Sequence, residues 1–194
     1  MNPMSTGFQI KDLMAAHFLT FQVVDWIDVF TRKIYKEIIV DSFQYSMENK
    51  SLQIFAYVIM SNHIHLIANS TDGRLSDTIR DIKKFTSKKI IEAIDNIPDS
   101  RREWMLNRFK FNASHHKSNK YYQVWTHENH AVELISNHFI QQKVNYIHNN
   151  PVKAGLVRNP EDYKYSSACS YAGQEGLLKV IPVTINWKTA RAAL

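Results

Sequence analysis

A tight turn between two apolar segments most constrains how this chain folds. Residues 52–60 form a nearly continuous apolar run of strand length, as expected of a central strand buried on both faces. Ser61 and Asn62 follow as a turn, and residues 63–68 predict the antiparallel partner strand. Asp72-Gly73 then closes the second strand. The sequence therefore predicts a β-hairpin.

Periodicity predicts the remaining elements. β-branched and aromatic residues predict strands at residues 17–24, 121–125 and 178–183. Helical spacing of apolar residues predicts helices at residues 31–50, 75–97, in part of 100–120, and 133–150.

Polar and proline residues mark the predicted helix ends. We expect Thr31 to cap the first helix, Pro98 to end the second and Pro151 to end the last. The resulting β-α-β-β-α order, followed by more helix, predicts an α+β sandwich with helices packed on a small antiparallel sheet.

Length and composition favour one domain with a tail. The chain has 194 residues, and we expect a domain at residues 1–172 and a C-terminal tail at 173–194. Cys169 is the single cysteine, which excludes an internal disulfide and a cysteine-cluster zinc site. No apolar run approaches the roughly 20 residues that span a membrane, and no signal peptide is evident. We expect a cytoplasmic protein without membrane contact.

Positive charge is concentrated in the middle of the chain. Residues 74–120 contain 12 Lys and Arg against 6 Asp and Glu, a surplus equal to the net charge of +6 of the whole chain. Such a segment suits a polyanionic partner, although a solvated helix face has the same composition.

Two histidines have the spacing of a paired site. His63 and His65 are two residues apart in a predicted strand, so their side chains point to the same face. Two neutral imidazoles on a rigid strand bind a cation well. The same pattern also suits two half-exposed histidines on a sheet surface.

A tyrosine and an asparagine share one face of the last predicted helix. Tyr146 and Asn150 are four residues apart, and Tyr146 lies beside the apolar stripe of Ile140, Val144 and Ile147. An amphipathic helix with a boundary tyrosine and a capping asparagine has the same pattern. The two motifs together are more specific than either alone.

The His-hydrophobic-His strand followed by one helical tyrosine resembles the single-tyrosine HUH endonucleases. The run Tyr-Ile-His-Asn-Asn-Pro-Val-Lys-Ala-Gly-Leu-Val at residues 146–157, followed by Pro-Glu-Asp-Tyr-Lys-Tyr-Ser-Ser-Ala, resembles the REP-associated tyrosine transposases. These belong to the single-strand transposases of insertion sequences. The resemblance covers roughly residues 17–171, and residues 62–66 and 146–157 are its most specific parts.

The resemblance implies a fold and a role for each matched residue. The fold is a ferredoxin-like α/β sandwich, and the reaction is cleavage and strand transfer of single-stranded DNA at hairpins through a 5′-phosphotyrosine. His63, His65 and Asn150 are the implied metal ligands, and Tyr146 the nucleophile. Relatives include dimers that share domains, so a homodimer is one expectation.

The chemistry of these residues suits that reaction. Two imidazoles and an amide are neutral ligands, so a bound cation keeps its charge for the phosphate. Such ligands also bind Zn²⁺ tightly, but the amide oxygen and the resemblance favour Mg²⁺ or Mn²⁺. We expect the Tyr146 hydroxyl within about 5–8 Å of the histidines, with phosphate and metal between them.

The basic segment and its aromatic residues suit single-stranded DNA. Four aromatic side chains are candidates for base stacking, although each also suits a core position: Trp104, Phe109, Phe111 and Trp125. Weaker candidates for ligands are His115, His116, His127 and His130. The predicted phosphate contacts are Lys83, Lys84, Lys88, Lys89, Arg101, Arg102 and Arg108.

Two other functions fit parts of the sequence. A ferredoxin-like module that binds a DNA or RNA hairpin without cutting it needs the basic segment but neither Tyr146 nor the histidines. A structural metal site requires a closed shell of four ligands, and only three are identifiable. Because both motifs are intact, the sequence favours the enzyme.

Overall fold

The predicted hairpin lies within a four-stranded antiparallel sheet. The computed structural model describes residues 15–115 and 121–183. The strands are β1 (His17–Gln22), β2 (Leu52–Ile59), β3 (His63–Ser70) and β4 (Val132–Glu133). Their order is β2-β3-β1-β4, with every pair antiparallel. This strand order, with helices following β1 and β3, confirms the predicted ferredoxin-like α+β fold.

Helices cover both faces of the sheet. They are α1 (Lys33–Asn49), α2 (Leu75–Asn96), α3 (Arg102–Ser114), α4 (Asn137–Lys153) and α5 (Ala168–Tyr171). Helices α1 and α2 pack against each other, and Phe43 of α1 meets Phe21 of β1 with ring centroids 6.5 Å apart. Phe18 of β1 instead contacts Tyr146 of α4. Because Phe18 and Phe21 are three residues apart on one strand, α4 lies on the opposite face from α1 and α2.

Strand alternation separates the core from the histidines. Ile64 and Leu66 are fully buried, and Ile64 pairs with Phe21 on the face that α1 and α2 cover. His63 and His65 therefore face the α4 side, as the spacing predicted. They lie on β3, which has a strand on each side.

The prediction that residues 52–60 form a central strand is wrong in position. β2 lies at the edge of the sheet, and the chain beyond α4 covers its outer side. The backbone N–H groups of Ile59 and Ser167 donate to Tyr165 and Tyr57, and Ile181 donates to Ile54. An irregular segment thus satisfies the hydrogen bonds of the edge, while α1 and α4 cover the two faces of β2, which gives the apolar pattern of a central strand.

The last predicted helix differs at both ends. Val132 and Glu133 belong to β4, and α4 begins after Ser136, whose side chain accepts a hydrogen bond from the Phe139 N–H. Pro151 does not end the helix, which continues to Lys153. The proline ring is buried within the last turn, where the lost N–H removes only one hydrogen bond.

Three smaller predictions are also wrong. Arg32, not Thr31, precedes α1; Thr31 belongs to the preceding 3-10 turn, where its hydroxyl donates to the Asp28 carbonyl. Residues 121–125 form no strand and meet the sheet at a single bridge between Val23 and Trp125. Residues 178–183 form no strand, although Leu178 and Val180 are buried in the core.

The rest of the tail prediction falls on residues 184–194, which lie outside the described residues. The division at residue 172 stays a prediction. Within residues 15–115 and 121–183, no helix has the length and hydropathy of a membrane span.

We expect Ser136→Ala to lower the unfolding free energy by about 1 kcal/mol, because it removes the side-chain acceptor at the start of α4. In a chain of this length, thermal denaturation should show a melting temperature lower by about 2–4 °C. Ser136→Asp retains the acceptor and should melt like the wild type. Equal melting of the alanine and aspartate variants would contradict the capping role.

Candidate active site

Three predicted site residues meet on the face that α4 covers. The ring centroids of His63 and His65 are 4.8 Å apart, and those of His65 and Tyr146 are 5.1 Å apart. The Tyr146 hydroxyl lies 3.4 Å from Nε2 of His65. This is shorter than the expected 5–8 Å, because the hydroxyl contacts the imidazole directly. A single chain supplies all three side chains.

Asn62 fixes the orientation and tautomer of His63. The Asn62 Nδ2 donates to the Trp26 carbonyl and to Oδ1 of Asp28, at 3.2 and 2.9 Å. Its Oδ1 therefore faces Nδ1 of His63, 2.8 Å away. An amide oxygen only accepts, so Nδ1 of His63 carries the proton and Nε2 has the free lone pair. Such a partner for the second ring nitrogen is typical of metal-binding histidines.

Two side chains of the neighbouring strand β1 contact the His65 ring. The Thr20 hydroxyl lies 3.0 Å from Nδ1 of His65, and Phe18 stacks on the ring with centroids 5.3 Å apart. Burial, with smaller effects from His63 and Lys143, lowers the pKa of His65 to about 3. Burial also lowers the pKa of His63. Both imidazoles are therefore neutral at neutral pH, the form that binds metal.

Helix α4 presents Tyr146 at the edge of its buried stripe. Val144 and Ile147 are buried, whereas Tyr146 is 41% exposed. His148, two residues after Tyr146, holds α4 against the segment that follows it: the His148 Nε2 lies 2.9 Å from the Ser167 hydroxyl. The same hydroxyl accepts a hydrogen bond from the Tyr57 N–H of β2. This contact links α4 to the outer edge of β2.

Asn150 lies one turn after Tyr146 and is half-buried. The four-residue spacing places it on the same helix face as Tyr146. Its carbonyl accepts the Ala154 N–H, so the backbone at Asn150 is held in the last turn of α4.

Two lysines beside Tyr146 were missed by the sequence reasoning. The ammonium groups of Lys143 and Lys153 are each 5.8 Å from the centre of the Tyr146 ring. Lys143 also lies over Phe18, at 4.6 Å. Among the described residues neither lysine forms an ion pair with a carboxylate. Their spacing of three and seven residues from Tyr146 is the signal that identifies this helix face.

The predicted phosphate contacts of α2 lie on the other side of the sheet. The Lys83 Nζ is 5.7 Å from the ring centre of Phe21, on the face opposite the histidines. Lys84, Lys88 and Lys89 are exposed, and the last two pair with Glu92. This cluster of exposed lysines does not line the histidine–tyrosine site.

Lys83 differs from the other lysines of α2 because it is bound inside the chain. Its Nζ donates to the Thr126 carbonyl and to Oδ1 of Asn129, both at 2.7 Å. The prediction that Lys83 contacts phosphate is therefore not supported by its contacts. Helical spacing alone could not show that the Lys83 ammonium is bound internally, because Thr126 and Asn129 lie some 40 residues further along the chain.

The three predicted arginines form internal contacts. Arg101 donates to the Asp28 carbonyl and to the Thr31 hydroxyl, and it pairs with Asp99. Arg102 pairs with Asp95. Arg108 pairs with Asp25, at the beginning of the turn that leads to Trp26.

The candidate aromatic residues divide into two groups. Phe109 and Trp125 are buried, and the Trp125 indole donates to the Thr86 hydroxyl, so both belong to the core. Trp104 and Phe111 are about half exposed.

None of the weaker histidine candidates that the structure describes belongs to a cluster suited to a metal ion. Within residues 15–115 and 121–183, no cluster of three or more His, Cys, Asp or Glu side chains is suited to a cation. His115 contacts the Phe111 carbonyl, and His116 lies outside the described residues. His127 and His130 lie in the polar segment before β4.

Comparison with known proteins identifies the family. The model of the IS200-like transposases matches residues 15–150, which is more than half of the chain. The chain therefore belongs to the IS200-like transposase family, which confirms the resemblance seen in the two sequence motifs. A search of curated protein sequences gives no match.

One solved structure shows the same fold. A REP-associated tyrosine transposase bound to a REP hairpin aligns with a TM-score of 0.56 at 18% identity, over 92% of this chain and 93% of the other. A provisionally described transposase from Deinococcus radiodurans R1 aligns with a TM-score of 0.41 at 15% identity, over 77% of this chain and 96% of the other.

We expect Lys83 to make stability depend on pH in alkaline solution. Burial lowers its pKa to about 8, against about 10.4 in an unfolded chain. Between these values the unfolded chain binds more protons, so stability rises with pH, and below about pH 8 this contribution is constant. Urea unfolding at pH 7 to 10 should show the wild type gaining stability relative to Lys83→Met above pH 8.

Lys84→Met is the matched control, because the Lys84 side chain is exposed and its removal should leave the alkaline profile unchanged. A constant difference between the wild type and Lys83→Met from pH 8 to 10 would show that Lys83 stays protonated.

Proposed function

We propose that this protein is a metal-dependent single-stranded DNA endonuclease and strand transferase that acts at DNA hairpins through a 5′-phosphotyrosine. The contact between the Tyr146 hydroxyl and His65, within one chain and beside His63, carries this proposal. In this contact the hydroxyl of the proposed nucleophile lies next to two neutral imidazoles. A hairpin-binding module without catalysis requires no such arrangement.

The chemistry of the donors fits a divalent cation. The hydrogen bond from Nδ1 of His63 to Asn62 leaves Nε2 of His63 for the metal, and an Nδ1–H of His65 donated to the Thr20 hydroxyl would leave Nε2 of His65 for it as well. Asn150 is the proposed third ligand, through its side-chain oxygen. Mg²⁺ or Mn²⁺ bound there would neutralise the scissile phosphate as a Lewis acid.

Tyr146 is the proposed nucleophile. Its Oη loses its proton and attacks the phosphorus, the bond from phosphorus to the 3′ oxygen breaks, and the 3′ oxygen takes up a proton and leaves as a hydroxyl. The tyrosyl ester conserves the energy of the broken bond, so a 3′-hydroxyl can reseal the strand without ATP. Since the Tyr146 hydroxyl lies 3.4 Å from His65, its side chain must turn away when a phosphate binds between them.

Lys143 and Lys153 supply positive charge at the reacting group. Each ammonium lies 5.8 Å from the centre of the tyrosine ring. In this position they are suited to neutralise phosphate oxygens on the strand being cut and to stabilise the phosphotyrosine.

Single-stranded hairpin DNA is the proposed partner. The structure of a relative with the same fold is bound to a REP hairpin. Opening a duplex costs about 1.4 kcal/mol per base-pair step, so a scissile bond in a perfect duplex should be a poor substrate. Lys84, Lys88 and Lys89 are proposed to contact backbone phosphates away from the cleavage site. A homodimer is also proposed. In such a dimer each chain would supply its own His63, His65 and Tyr146, as they meet within one chain here.

We expect Tyr146→Phe to abolish covalent complex formation while hairpin affinity is retained, because only the hydroxyl is lost. The test is incubation with Mn²⁺ and a single-stranded hairpin labelled at its 3′ end, since the phosphotyrosine forms on the fragment with the new 5′ end. A denaturing gel should show the label on the wild-type protein and not on the variant.

His63→Ala and His65→Ala should lose the covalent complex as well, because each empties the metal site. Covalent complex in the phenylalanine variant would show that another residue attacks. Equal cleavage of the same sequence in perfect duplex would indicate an ordinary metal-dependent nuclease.

We expect Thr20→Val to weaken Mn²⁺ binding about 10- to 100-fold, because it removes the hydroxyl that orients His65 and keeps the β-branched shape of the strand residue. Calorimetric titration with Mn²⁺ measures this directly. Thr20→Ser keeps the hydroxyl and should bind Mn²⁺ like the wild type. If Thr20→Val also binds Mn²⁺ like the wild type, the hydrogen bond between Thr20 and His65 does not orient His65 for metal binding.

A further inference from the structure

An exposed tryptophan lies beside the paired histidines. Trp26 is 57% exposed, although Val24 and Ile27 on either side of it are buried. The centroids of its ring and the His63 ring are 5.9 Å apart, with planes at 80°. The two rings therefore meet edge to face, and among the described residues no other aromatic ring contacts the indole.

The backbone that presents Trp26 is strained. Asp25 and Trp26 have φ angles of 52° and 55°, a left-handed conformation that is uncommon for residues other than glycine and is unfavourable for a bulky side chain. Two such residues in succession persist only where surrounding contacts enforce them. Strain of this kind is concentrated at functional sites.

The surrounding contacts are specific to this turn. The Asp25 carboxylate accepts hydrogen bonds from Arg108 and, at 2.7 Å, from Nδ2 of Asn112. The Trp26 carbonyl accepts from Asn62, the residue that also orients His63. The same asparagine thus holds the backbone of Trp26 and the ring of His63.

The four rings follow one another along this face. Trp26 contacts His63, His63 contacts His65, and His65 contacts Tyr146. A strand whose scissile phosphate lies between the histidines and Tyr146 must continue past these residues. An exposed indole at the His63 end is suited to stack on an unpaired base of that strand, because every base has a π face.

We propose that Trp26 is a stacking platform for the unpaired base next to the scissile phosphate. This inference rests on the proposed function, since it takes single-stranded DNA as the ligand. Stacking of this kind requires that a base is present and unpaired, but it does not select among the four bases. It would hold the backbone in register with Tyr146.

The experiment is a double-mutant cycle in the Tyr146→Phe background, where DNA is bound but not cut. The probe is a fluorescein-labelled DNA hairpin selected from a random library for binding to that variant. A stable abasic site is placed at each unpaired position in turn, and the dissociation constant is measured by anisotropy. At one position the abasic site should weaken binding about tenfold, as expected for loss of one stacked base.

With Trp26→Ala added, the intact probe should bind about tenfold more weakly, and the abasic site at that position should have no further effect. Trp26→Phe should restore part of the difference. Tyr45→Ala is the matched control: Tyr45 is equally exposed but belongs to α1, beside Lys84 and Lys88 on the opposite face, so its loss should leave the abasic penalty at that position unchanged. Circular dichroism melts of the variants measure any loss of folding separately.

Three results would overturn the inference in distinguishable ways. If the hairpin binds but abasic penalties are the same with and without Trp26, the platform is absent while the proposed function stands. If the Tyr146→Phe variant binds no hairpin from the library, both fail. Concentration-dependent dimerisation that Trp26→Ala abolishes, with unchanged DNA affinity, would instead assign the indole to a protein interface.

Discussion

The pairing of β3 between β1 and β2 is the constraint on which the site depends. It places His63 and His65 on one face and puts Thr20 of β1 directly opposite His65. The backbone hydrogen bonds of the ladder fix the spacing of the two imidazoles, and side chains from neighbouring elements fix their ring orientations. Because the two faces of β3 meet different helices, a shift of one residue would bury the histidines in the core under α1 and α2 and place Ile64 and Leu66 on the side of Tyr146.

The second constraint is the docking of α4 on the same face. Val144 and Ile147 bury the helix against the sheet, and the contact between His148 and Ser167 ties it to the segment that covers the edge of β2. The C-terminal part of the chain thus has two functions in the fold. It satisfies the exposed strand edge, and it sets the rotation of α4 that directs Tyr146 toward His65.

Positive charge is divided between two surfaces with different surroundings. On the outer face of α2, Lys88 and Lys89 are paired with Glu92 and open to solvent. Near Tyr146, Lys143 and Lys153 lie against aromatic rings and have no carboxylate partner among the described residues. The first surface suits a diffuse attraction to a nucleic acid backbone. The second suits a phosphate held at one position.

The sequence determined the local features of this protein: the hairpin at Ser61-Asn62, the common face of His63 and His65, and the alignment of Tyr146 with Asn150. These follow from periods of two and 3.6 residues, which any strand or helix imposes on its neighbours. Only the tertiary structure decided that β2 lies at an edge, that Lys83 is bound inside the chain, and that Thr20 meets His65. Those outcomes depend on contacts between residues far apart in sequence, which local periodicity does not encode.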